Sequence, residues 1–255
     1  MCIRDSYERA WDENITRVTM LEVLPSAAGI VDDATVLLAT EADMRTLNLD
    51  TGVQETLIAF PHDDEMRAND GRVHPSGAFW IGTMAKDGRG RPGAIYRLFE
   101  GELSRMIEDV VTPNSICFAA DGTFAYYTDT PTMSIMKVPT DPKTGEISGK
   151  ARVFVKVEGV PGGPDGSVTD SEGNLWNARW GGSSIDVYSP AGERIHAYKV
   201  PVRQPTCPSF VGPDLNRIVT TSASVGLSDP DPLHDGATIE LHVPAKGRPE
   251  PIVKL

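Results

Sequence analysis

Apolar residues in this chain come in short runs of four or five, and helical periodicity is scarce. The runs are Thr35–Ala39, Phe79–Gly82, Ala94–Leu98, Phe124–Thr128, Ile135–Val138, Leu175–Ala178, Ser184–Tyr188 and Ile218–Thr221. Several are rich in β-branched and aromatic residues, which predicts β-strands. Between them stand the clusters HPSG, AADG, DPKTG, DSEG, SPAG and VGPD. Gly, Pro, Asp and Ser concentrate in tight turns, so these clusters predict the links between strands. The chain reads as all-β.

One phrase recurs. It runs NDGRVHPSGAFWIGTM from Asn69, NSICFAADGTFAYYTDT from Asn114, DGSVTDSEGNLWNARW from Asp165 and TCPSFVGPDLNRIVTTS from Thr206. The starts are 45, 51 and 41 residues apart. Each phrase is a short strand, a turn and a second strand. A period of 40–50 residues with about four strands per unit is the mark of propeller blades. Ala34–Gly52 supplies strands of a further blade, and the segment after residue 235 supplies another strand pair. Dividing 255 residues by the period predicts between five and six blades. Nothing repeat-like precedes residue 18, so residues 18–255 are expected to form a single propeller domain and 1–17 to lie outside it.

Composition narrows the function. The chain is 40% hydrophobic, enough to bury a core, and its 24 Gly and 20 Pro suit many tight turns. A formal charge of −12 repels nucleic acid and concentrates cations. The three cysteines, Cys2, Cys117 and Cys207, form no CxxC and suggest a reducing compartment. No apolar run approaches the roughly 20 residues that span a bilayer. The first residues, MCIRDSYERAWDENITR, lack the apolar stretch of a signal peptide. A cytoplasmic protein without membrane or nucleic-acid partners is expected.

The repeat starts place Asn69, Asn114, Asp165 and Thr206 at equivalent points of successive inner strands. Amide and carboxylate oxygens are hard ligands, suited to Ca²⁺, Mg²⁺ or Mn²⁺, with Zn²⁺ also possible. Each residue taken singly is equally at home as a turn former; their common register favours a shared site. Asp165 is distinctive, because PGGPDG surrounds one carboxylate with three glycines and two prolines. No GxSxG elbow, HExxH, GxGxxG or Walker A motif occurs, and the five histidines show no ligand spacing. Trp80 and Trp176 occupy matching strand positions and are read as core; Trp180 is left open between core and pocket. Cys117 and Cys207 also match, on inner strands.

The segments RANDGRVHPSGAFWIGTM, TPNSICFAADGTFAYYTDT, TDPKTGEISGKARVF, GGPDGSVTDSEGNLWNARWGG and RQPTCPSFVGPDLNRIVTTSA resemble the senescence marker protein/gluconolactonase family, the regucalcin-like sugar lactonases. The resemblance runs from about residue 24 to the last residue. It implies a six-bladed propeller with one divalent metal ion and hydrolysis of aldonolactones such as gluconolactone to aldonic acids. The family's metal is held by a Glu, an Asn and an Asp; the last two fall on Asn114 and Asp165. Its substrate-binding Arg and Asn fall on Arg67 and Asn69, with Asp87 a loose match for a further substrate contact. Arg67 also suits a structural ion pair. Asp165 would serve as metal ligand and as general base.

Two departures stand out. The Gly-Glu-Gly-Pro motif that carries the family's metal-binding Glu is absent; Glu8 and Glu13 lack its context. The family's PNG is PNS here, with Ser115 in place of Gly. An incomplete first blade is therefore expected. A calcium-binding regulatory propeller without catalysis and a propeller esterase of broader specificity are the alternatives. A monomer or weak homo-oligomer is expected.

Overall fold

The computed structural model describes residues 5–9, 16–88, 90–231 and 233–255, with backbone only for 5–9. Cys2, Glu13 and the side chain of Glu8 lie outside the described residues.

Strand follows strand in antiparallel meanders. β1 (Asp5–Arg9) and β2 (Thr16–Met20) form a hairpin. The first four-stranded sheet is β3 (Pro25–Ile30), β4 (Thr35–Thr40), β5 (Asp43–Asn48) and β6 (Gln54–Ala59). The second is β7 (Met66–Val73), β8 (Phe79–Ala85), β9 (Gly93–Phe99) and β10 (Glu102–Val110). The third is β11 (Pro113–Phe118), β12 (Phe124–Asp129), β13 (Ser134–Pro139) and β14 (Arg152–Lys156). The fourth is β15 (Gly163–Thr169), β16 (Leu175–Trp180), β17 (Ser184–Tyr188) and β18 (Arg194–Lys199). The last has three strands, β19 (Pro205–Val211), β20 (Arg217–Ser222) and β21 (Ile239–Leu241). All eight apolar runs fall on strands, and the four repeated phrases are the first and second strands of successive sheets. The fold is an all-β propeller. In the hairpin turns, Gly122 and Gly173 take φ of +69° and +82°, a conformation that a side chain would strain.

Burial differs between the strands of a sheet. β8 and β11 are buried at every position, whereas β6 and β18 are mostly exposed. The apolar runs lie on the second and third strands, as in β8 and β9, whereas the first strands carry the polar repeat starts and the fourth strands return to polar residues. The chain divides into two compact units, residues 1–113 with 250–255, and residues 114–249. In the first, Leu37, Met44, Phe79, Ile81 and Leu98 build the core. In the second, Trp176, Ile185, Val187 and Ile218 form one cluster, and Cys117, Tyr126 and Ile135 another. Trp80 and Trp176 are core residues as expected.

Glu250–Leu255 belong to the first unit although they end the chain. The Val253 amide donates to Ile30 O at 2.7 Å and the Lys254 amide to Gly77 O at 2.9 Å. Val253 is itself part of the first unit's core. A Cβ on Gly29 would stand 2.6 Å from the Val253 side chain, so glycine makes room for this tail.

The expected sixth blade is not found. Five blade sheets stand among the described residues, one of them three-stranded. The cause is local. The stretch before β3 forms the β1–β2 hairpin, a two-stranded sheet of its own. After β21 no further strand follows, so the expected C-terminal strand pair is one strand. Pro244, Pro249 and Pro251 in that stretch lack the amide protons a sheet ladder needs. The expected incompleteness of the first blade agrees in part with the two-stranded hairpin.

Close approach of strands makes one glycine critical. A Cβ at Gly93 would lie 1.9 Å from the Thr83 carbonyl oxygen. Gly93→Ala is expected to destabilise by about 3 kcal/mol, since backbone cannot yield as a flexible side chain does. A shift of the urea midpoint at unchanged slope checks it.

Candidate active site

The repeat starts coincide with β-bulges. On β7, Asn69 and Asp70 together face one residue of β8, Gly82, between the pairs Ala68–Thr83 and Gly71–Ile81. On β15, Asp165 and Gly166 face Ala178, between Pro164–Arg179 and Ser167–Asn177. On β19, Thr206 and Cys207 face Thr221. A bulge bends its strand and re-aims a side chain out of the ladder, and such bulges gather beside functional sites. On β11 the residue after Asn114, Ser115, holds φ of +57°, the left-handed conformation that glycine takes without strain.

Within the first unit, Arg67 and Asn69 are brought together. Arg67 Nη1 donates to Asn69 Oδ1 at 2.9 Å and to Ala68 O at 2.8 Å. Asn69 Nδ2 donates to Pro113 O at 2.9 Å. The guanidinium is thus tied to the bulge. Gly82 opposite lets Pro113 approach: a Cβ there would stand 2.4 Å from Pro113 Cβ. Asp87 is exposed, in the turn after β8.

Within the second unit, Asn114 is buried and donates from Nδ2 to Thr130 Oγ1 at 2.9 Å; Thr130 donates on to Pro164 O at 2.8 Å. That donation sets the amide so that Oδ1 is its acceptor end. Asp165 is half-buried, and its carbonyl oxygen is held from two sides. Ser115 Oγ donates to it at 2.6 Å and Asn177 Nδ2 at 2.9 Å. Asn177 is fully buried and its Nδ2 also reaches Ser115 Oγ at 3.1 Å and Ser167 Oγ at 3.0 Å. The bulge takes Asp165 and Gly166 out of the ladder, and Asn177 replaces the lost bonds. A Cβ at Gly166 would come within 2.7 Å of Thr206 O, so the second bulge residue has no room for a side chain. Ser115 in place of glycine therefore brings a hydroxyl into this network. Thr206 shares the register but turns to Thr221, with 2.6 Å between their hydroxyl oxygens.

Sequence reasoning missed Thr130, Asn177 and Arg179. A signal existed for two of them. Asn177 and Arg179 stand where the sister phrases carry Ile81 and Tyr126, and Thr83 and Thr128. A large polar residue at a buried strand position needs partners, and Arg179 is 1% exposed. Cys117 is buried, whereas Cys207 is half-buried. Among the described residues, no group of three or more His, Cys, Asp or Glu gathers as a metal cluster. Among the described residues no helix is long and apolar enough to cross a membrane.

Comparison with known proteins shows the family. Residues 7–224 match the family model described as SMP-30/Gluconolactonase/LRE-like region. A Rhizobium meliloti protein provisionally named a sugar lactone lactonase is 36% identical over 99% of this chain and 87% of its own. The L-arabinolactonase of Azospirillum brasilense is 34% identical over 87% of this chain and 74% of its own. The crystal structure of a calcium-binding protein, regucalcin, from Agrobacterium tumefaciens shares 40% identity, covers 99% of this chain and 87% of that one, and superposes with a TM-score of 0.94. The chain belongs to the SMP-30/gluconolactonase/LRE-like family.

Proposed function

We propose that this protein hydrolyses sugar lactones to aldonic acids, with one divalent cation at Asn114 and Asp165. The observation that carries the reading is the Asp165–Gly166 bulge, built around a carboxylate in a member of a family whose relatives bear lactonase names. The donors suit an oxygen-seeking cation: the Asn114 amide has its nitrogen committed to Thr130, and Asp165 adds a carboxylate. Asn114 and Asp165 would hold the cation, and water and substrate oxygens would complete its shell. A divalent cation bound there polarises a lactone carbonyl and acidifies water.

Asp165 takes the proton of the attacking water as general base. Water oxygen bonds to the carbonyl carbon, the ring C–O bond breaks, and the ring oxygen leaves as a hydroxyl on receiving from Asp165 the proton that it took from water. Arg67 and Asn69, tied to each other, hold sugar hydroxyls and orient the ring. Asp87 adds a substrate contact from its exposed turn.

Acid release from a panel of aldonolactones, with Ca²⁺, Zn²⁺, Mg²⁺ and Mn²⁺ each supplied, tests the reading. Metal-dependent turnover is expected. Asn114→Ala is expected to weaken metal affinity about tenfold or more, and Arg67→Ala to raise KM while leaving metal affinity within about twofold. The reverse order would mean that metal and substrate residues are exchanged. Calcium binding with no turnover on any lactone would favour a regulatory calcium-binding protein, the reading that the Agrobacterium relative's name supports.

A further inference from the structure

Thr130 carries a hydroxyl whose single proton is already assigned. It stands at the start of a one-turn 3₁₀ helix, Thr130–Thr132, directly after β12. Its Oγ1 donates to Pro164 O at 2.8 Å and accepts from Asn114 Nδ2 at 2.9 Å. A threonine hydroxyl has one proton to give. With that proton on the Pro164 carbonyl, which can only accept, the side of the hydroxyl facing Asn114 is a lone pair. Asn114 must therefore present its NH₂ group. Turned over, the amide would set two oxygens face to face, or take the proton and leave Pro164 O without it.

The surroundings hold that hydroxyl in place. Pro131 fixes one φ of the turn, and the Thr132 hydroxyl donates to Asp129 O at 2.7 Å. The Met133 amide closes the turn on Thr130 O at 3.0 Å, with Met133 at φ of +52°. A Cβ at Gly163 would stand 2.9 Å from Thr130 Cγ2, so glycine there lets β15 close on the threonine methyl. Asn114 itself is 6% exposed, which keeps back most of the water that could compete for its amide. No ladder bond requires this bridge: it links β11 to β15 through a turn that belongs to neither.

We propose that Thr130 is a positioning residue for lactone hydrolysis: it holds the Asn114 amide with Oδ1 as the end offered to a divalent cation, and it acts on the reaction through Asn114. The inference rests on the reading of Asn114 and Asp165 as cation ligands and adds the residue that decides which end of the amide is offered. An amide ligates a hard cation through its oxygen and not through its NH₂ group. An amide that turns over spends part of its time in the wrong state. Outer partners that orient metal ligands are worth about 10–100-fold in metal affinity or activity.

Calorimetric titration of the substrate-free protein with Ca²⁺ and, separately, Mn²⁺ tests the proposal, with urea unfolding to check the fold of each variant. Thr130→Val keeps the volume and loses the hydroxyl; it is expected to weaken cation binding about tenfold or more. Thr130→Ser keeps the hydroxyl and is expected to stay within about threefold of the unaltered protein. The KM for lactone at saturating cation is expected to move by less than about twofold in Thr130→Val, a split that general loosening of the site would not give. In an Asn114→Ala background the same Thr130→Val step is expected to cost less than about twofold, because a residue acting through Asn114 has nothing left to act on. Should Thr130→Val not fold, Thr130→Ala carries the same expectations. Thr130→Val binding as tightly as the unaltered protein while Asn114→Ala binds weakly overturns the proposal and leaves the ligand reading standing. Loss in neither variant, or no cation binding by the unaltered protein, overturns both. Thr130→Ser as weak as Thr130→Val also overturns the proposal, since the methyl and not the hydroxyl would then matter.

Discussion

Replacing Asp165 with alanine is expected to lower metal-dependent lactone hydrolysis by roughly 10²–10⁴-fold, the range that removal of a positioned general base produces. Loss of the proposed metal ligand is expected to add to the effect. The fold should survive, because the bonds from Ser115 and Asn177 end on the Asp165 carbonyl oxygen, which alanine keeps. Asp165→Asn is the sharper companion: it preserves shape and removes charge and basicity. Acid release measured beside urea unfolding separates chemistry from folding. A variant with a wild-type unfolding midpoint and wild-type rate would remove Asp165 from the reaction.

The second large effect is expected at Asn177. Its Nδ2 is the shared donor to Asp165 O, Ser115 Oγ and Ser167 Oγ, in a fully buried position. Asn177→Ala takes that donor from the cluster at once and leaves Asp165 O, Ser115 Oγ and Ser167 Oγ each short of a partner in the interior. A loss of about 3 kcal/mol is expected, since unmet buried polar groups cost about 1–3 kcal/mol each. Turnover should fall as well, because the bulge that aims Asp165 loses one of its two supports. Asn177→Asp, of nearly equal volume, cannot donate, so it should fail as alanine does; rescue by aspartate would show that volume, not donation, matters there.

The repeat made most of the fold legible. Strand, turn and second strand recur with the same polar start, and that pattern survives in one sequence. The bulges were not legible, because a bulge is a count of two residues against one on a partner strand, and the partner's register is set by folding. The sequence marked Asn69 and Asp165 as equivalent without showing that both leave the ladder. Blade number differed for another reason: dividing length by period left five or six open, and the count of six came with the family resemblance, whereas five blade sheets stand among the described residues. Before β3 the described residues give the two-stranded β1–β2 sheet, and the residues after β21 bond to the blades without forming a further strand. Asn177 and Arg179 were missed because a strand pattern tallies apolar positions and passes over the polar residue among them, here the more informative one.

Residues 250–255 impose a timetable on biosynthesis. Val253 packs against Gly29 and Val73, so the first unit lacks part of its interior until Val253 has been translated. A growing chain normally settles its N-terminal portion first. Here strands made much earlier wait, with Phe79 and its apolar neighbours incompletely covered, for a residue made far later. A ribosome stalled before residue 253 would therefore leave the first unit, not the second, short of its core.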